Sequence, residues 1–175
     1  MEVDVIDVRD PDQGRARHRC LNQLGARSAR IELPRRSDLS SFMVGEVCRV
    51  ASPGELRVLR IWSSSPPGYE HIAPAQDAPT LTPAHGLLAL SRELGLLHSL
   101  FARGAHAELR GCGDGLHGPG RLFAQTLARI WRVPVQAGQV FQTTGEWLVP
   151  IVQAAPSGAL MIATGSRIWS QRRAG

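Results

Sequence analysis

No lysine occurs in this chain of 175 residues, so all 20 basic side chains are arginines; set against 15 carboxylates they leave a net charge of +5. Replacement of lysine by arginine throughout is the mark of a GC-rich bacterial genome and does not of itself point to nucleic acid. The arginines are spread along the chain, with some crowding between Arg9 and Arg36. A basic patch there can attract a nucleic acid or an acidic protein surface, but a solvated charged face is the simpler expectation. Cysteine is also scarce. Cys20, Cys48 and Cys112 are too few, and odd in number, for a disulfide framework, which favours a reducing, cytoplasmic setting. No apolar run approaches the roughly 18–20 residues that a membrane helix needs. The opening MEVDVIDVRD has acidic residues and no basic stretch ahead of a hydrophobic one, so no secretory signal is expected.

Other chemistries are excluded by what is missing. There is no CxxC or HxxxH pair to hold a structural metal. The glycines at 111, 113, 115, 118 and 120 lack the Lys-Ser/Thr of a phosphate loop, and Asp114 among them would repel a phosphate. Neither metal nor cofactor is therefore expected. There is no internal repeat and no low-complexity segment.

What remains reads as one globular domain over residues 1–175. "EVDVIDV" (Glu2–Val8) is a strand ending at a turn-like Arg9-Asp10-Pro11-Asp12. Ala16, Cys20, Leu21 and Leu24 recur at helical spacing up to Gly25. "SARIELP" alternates as a strand, and Ser37 or Asp38 can cap a helix with Leu39, Phe42, Met43, Val47 and Val50 on one side. A strand from Leu56 to Trp62 runs into a long proline-rich loop over 64–81. Thr82-Pro83 starts a helix whose stripe is Leu87, Leu90, Leu94, Leu97 and Phe101. The strand leading to Cys112 follows, then a helix with Phe123, Leu127, Ile130 and Trp131, a short strand "VPVQA", and a hairpin turning at Pro156-Ser157-Gly158. Cys20 and Cys48 fall on apolar helical faces and are expected in the core. Trp62 and Trp131 are expected as packing anchors, with Trp147 and Trp169 nearer an interface. This order predicts an α/β fold of three layers, a mostly parallel sheet with helices on both faces and a C-terminal β-hairpin.

Sites in such folds lie beyond the carboxyl ends of strands. Those ends are Arg9-Asp10, Ser63-Ser64-Ser65 and Cys112. Cys112 follows an alternating run and heads a glycine turn, which suits a displayed nucleophile or a small residue packed beside the turn.

The segment "ELRGCGDG" (Glu108–Gly115), followed by "GPGRLFAQTLARIWRVPVQAG", resembles the nucleophile strand and next helix of the caspase-like cysteine peptidases, in a bacterial variant. The sharp part of the resemblance runs from Ala107 to Arg121. It implies that Cys112 takes the nucleophile position and that the backbone N–H near Gly113 would hold an oxyanion. It also implies a catalytic His-Gly just after the third strand, where this chain has "IWSSSPPG" and Ser64 takes the histidine's place. Serine has no group that titrates near neutral pH, so it cannot serve a thiol as base. Without a neighbouring cation, a cysteine has a pKa of about 8.5 and is only a few per cent thiolate at neutral pH. The resemblance then implies a pseudo-peptidase, a binding or structural module in a bacterial protein assembly with a protein as its partner. The alternative is an active cysteine endopeptidase in which His71 or His85, the latter followed by Gly86, folds back to Cys112; His117 is a further candidate base. A third class is nucleic-acid binding through the arginine-rich first third.

Overall fold

The computed structural model describes residues 1–7, 28–33, 39–62, 91–110, 118–138 and 150–163. Seven strands form one sheet in the order β2-β1-β3-β4-β5-β6-β7. They are β1 (Glu2–Asp7), β2 (Ser28–Leu33), β3 (Leu56–Trp62), β4 (Phe101–Arg110), β5 (Val135–Gly138), β6 (Ile151–Ala154) and β7 (Leu160–Ala163). The first five are mutually parallel, and β6 and β7 add antiparallel at one end. The chain is thus α/β, with a mixed, mostly parallel sheet.

The helical segments are α1 (Leu39–Val50), α2 (Ser91–Leu94), a 3-10 stretch over Gly95–Leu100, and α3 (Gly118–Trp131). Met43, Val44 and Val47 form the buried stripe of α1, and Phe123, Ala124, Leu127, Ala128 and Trp131 that of α3. These residues join Leu94, Leu97 and the inward strand residues Val3, Val5, Ile31, Leu33, Leu59, Ile61, Ala107, Leu109, Val135 and Ala137 in a single apolar core. All the described helices therefore cover one face of the sheet. The helix expected up to Gly25, its cap-like counterpart at Ser37 or Asp38, and the start of the helix at Thr82-Pro83 lie outside the described residues, as do Trp147 and Trp169.

Two expectations need correction. Cys48 is exposed rather than part of the core. It follows Val47, which points inward, so the apolar stripe passes it by. The helix expected to reach Phe101 loses its α geometry at Gly95, tightens to 3-10, and ends at Leu100. Phe101 is extended instead (φ −69°, ψ 129°), pairs with Leu56, and sets its ring 6.2 Å from that of Trp131. Packing against the sheet outweighs the leucine periodicity. The run before Cys112 alternates as expected: Ala107 and Leu109 enter the apolar core while Glu108 and Arg110 take the opposite face, although all four are buried.

Between Leu56 and Val58, β3 is opposed by five steps of β4, from Phe101 to His106. Gly104 sits within this bulge at φ 76°, a conformation that costs a residue with a Cβ. The irregularity uses up the extra chain and brings β4 into step with β3 from Val58 onward.

Candidate functional site

The sheet's second face carries charge. Even-numbered residues of β1, β3 and β4 point to it: Glu2, Asp4 and Ile6; Val58, Arg60 and Trp62; His106, Glu108 and Arg110. Cα register places one row straight across six strands, Arg30, Asp4, Arg60, Glu108, Gln136 and Gln153. Its first four members alternate in sign, so each charge has an opposite charge on the adjoining strand. Asp4 and Glu108 are only 1% and 5% exposed.

Burial at this level requires pairing, because a lone charge in a low-dielectric interior is very costly. Arg60 donates from Nη2 to Glu2 Oε2 at 2.6 Å and from Nε to Glu108 Oε2 at 3.1 Å, and its Nη1 lies 3.6 Å from Asp4 Oδ1. Arg110 donates to the same Glu108 oxygen from Nε (2.9 Å) and Nη2 (2.8 Å). His106 Nε2 meets the other carboxylate oxygen, Oε1, at 3.0 Å. Trp62 Nε1 donates to Asp4 Oδ1 at 2.8 Å, while the Arg110 guanidinium lies 5.6 Å from the centre of the Trp62 ring. Asp4, Arg60, Glu108, Arg110 and Trp62 thus close a ring of contacts across β1, β3 and β4.

The ionisation states follow from this geometry. Burial alone would raise the Glu108 carboxyl, but the His106 hydrogen bond and the charges of Arg110 and Arg60 hold it at about 2. Arg60 is pulled down by burial, yet Glu108, Asp4 and Glu2 together leave it above its ordinary value. Arg110 goes the other way: burial lowers it, Glu108 offsets only part of that, and Arg60 adds repulsion. Glu108 is thus the shared counter-charge of Arg60 and Arg110. Asp4 Oδ2 and Gln136 Oε1 are buried with no hydrogen-bond partner among the described residues. No group of three or more His, Cys, Asp or Glu suited to a metal ion occurs among the described residues. The ring joins β1, β3 and β4 through paired charges.

Two members of the ring, Trp62 and Arg110, end the strands that precede Ser64 and Cys112 in the chain. Strand order reverses between β1 and β3, and in open parallel sheets the crevice beyond the strand ends at such a point is where ligands bind. Trp62 and Arg110, the last residues of β3 and β4, are directly paired. Ser64 and Cys112 each stand two residues further along the chain. Both lie outside the described residues, as do Gly113, His71, His85 and His117. Two residues of chain reach about 7 Å at most, so Ser64 and Cys112 are tethered to adjoining strand ends.

Reading the sequence locates Cys112 but misses the ring. The only signal for it is the recurrence of charge at alternate positions in strands that are otherwise apolar, Glu2 and Asp4, then Arg60, then Glu108 and Arg110. Compared with known proteins, the chain matches no family model, and no curated protein or solved structure matches it at a significant level.

Proposed function

We propose that this chain is a caspase-like domain, with helices on both faces of its sheet and a C-terminal hairpin, that keeps the nucleophile strand and lacks the histidine partner. It then serves as a non-catalytic binding or structural module in a bacterial protein assembly. The observation that carries this reading is the pairing of Trp62 with Arg110. It supports an alignment in which the residue two steps past β3 faces the residue two steps past β4, and here those residues are Ser64 and Cys112. A sheet whose β1, β3 and β4 are joined by buried charge suits display of a surface to a partner.

The experiment is a proteolysis assay on a denatured protein substrate, comparing the unaltered chain with its Cys112→Ala variant. The expected result is no cleavage that depends on Cys112. Turnover abolished by Cys112→Ala would establish the endopeptidase reading, with His71 or His85 then to be tested as its base.

A further inference from the structure

The two edges of the sheet differ. β2, at one edge, carries Arg30 and Glu32, and charges on an edge discourage pairing with another chain. β7, at the other, reads Leu-Met-Ile-Ala, with no charge, proline or glycine, and among the described residues it pairs only with β6. Met161 and Ile162 are 55% and 53% exposed on its opposite faces. Beside it, Leu122, Gln125 and Arg129 fall on one stripe of α3. Gln125 donates to Gly158 O at 2.7 Å, in the turn that leads into β7, and Arg129 Nη2 lies against Gly158 as well. Leu122 on that stripe is 43% exposed.

Charge says what this edge would accept. Residues 1–114 hold 14 arginines and 14 carboxylates, whereas residues 115–175 hold six arginines and the single carboxylate Glu146. The whole net charge therefore arises in the last third of the chain, which contains α3 and β5 to β7. Of its arginines, Arg121, Arg129 and Arg132 are described, and all three are exposed. A second copy of the chain would bring this basic end against itself. Nucleic acid would use the arginines but has no need of the uncharged Met161-Ile162 edge. An acidic, extended segment with apolar side chains between its carboxylates satisfies both features: its backbone pairs with the edge of β7 that no other described strand occupies, its apolar residues cover Met161 and Ile162, and its carboxylates meet the arginines.

We propose that β7 is a docking edge that takes such a segment of a partner protein as an added strand. This rests on the binding-module reading and names its surface and its partner's chemistry. The test is fluorescence anisotropy with a labelled peptide alternating Glu with Val and Ile, its counterpart with Lys for Glu, and a single-stranded oligonucleotide. The Glu peptide is expected to bind saturably and to weaken roughly tenfold or more between about 50 mM and about 500 mM salt. The double variant Met161→Thr/Ile162→Thr keeps strand-forming residues and should weaken it at least about tenfold, since apolar anchors carry most of such affinity. Arg121→Glu, on a helix surface, should weaken it independently if the double variant does not fold. Equal binding of the Lys peptide, tighter binding of the oligonucleotide, indifference to these substitutions, or no saturation by about 1 mM, a weak limit even for short peptides, would each overturn the proposal. Failure here leaves the missing histidine as it stands, whereas Cys112-dependent cleavage would reject the parent reading without touching this edge.

Discussion

Glu108 accepts two arginines on one oxygen and a histidine on the other, at a position only 5% exposed. Replacing it by glutamine keeps the shape but leaves Arg60 and Arg110 short of their shared counter-charge. Glu108→Gln is expected to cost about 3–5 kcal/mol in urea unfolding, the usual penalty for breaking a buried pair from one side. The pH dependence has a definite sign. The folded carboxyl titrates at about 2, below the roughly 4.3 of an unfolded glutamate. Its contribution is therefore complete above the unfolded value and is lost as pH falls toward 2. Acid titration of stability should show a steeper loss over that window in the unaltered protein than in Glu108→Gln. At Cys48 the expectation is simpler: an exposed thiol should react with a thiol reagent in the folded protein, and Cys48→Ser should change stability by no more than about 0.5 kcal/mol. The sequence misleads at Cys48 because helical periodicity fixes a face only to within about a residue at its margin.

Elements were more legible than their edges. Alternation and β-branched residues place β1, β2 and β3 close to their observed bounds, because strand pattern and burial agree there. The end of the helix before β4 was not legible, since Phe101 fits the leucine stripe as well as it fits the strand. Only its pairing with Leu56 and contact with Trp131 decide between them. Backbone conformation gives two opposed expectations at this scale. Gly104 has open space around a Cβ but φ 76°, so Gly104→Ala should cost roughly 1–2 kcal/mol through backbone strain alone. Arg132, just past the end of α3, has φ 56° and is exposed. Arg132→Gly should raise stability by up to about 1 kcal/mol, since glycine suits a left-handed position after a helix. Thermal or urea unfolding of the pair measures both. The polar row also bears on register: a one-residue slip of β3 would turn Arg60 toward the apolar core and take it away from Asp4 and Glu108.

At the scale of the molecule, fold class follows from the alternation of strands and helices, and the sheet observed is α/β and mostly parallel. Strand order could not be read from composition, and with it went the ring, since Asp4, Arg60 and Glu108 are 48 or more residues apart in the chain except across the sheet. Only adjacency of β1, β3 and β4 turns scattered charges into one cluster. The same adjacency pairs β3 and β4, the strands that precede Ser64 and Cys112 in the chain. If no base stands beside Cys112, its thiol should titrate as an ordinary one. The direct measurement is the rate of iodoacetamide alkylation of Cys112 against pH, in a Cys20→Ser/Cys48→Ser background so that a single thiol reports. An apparent pKa of about 8.5 or above is expected for a thiol without a cationic partner, and a value below about 7.5 would contradict the reading by showing an activated nucleophile.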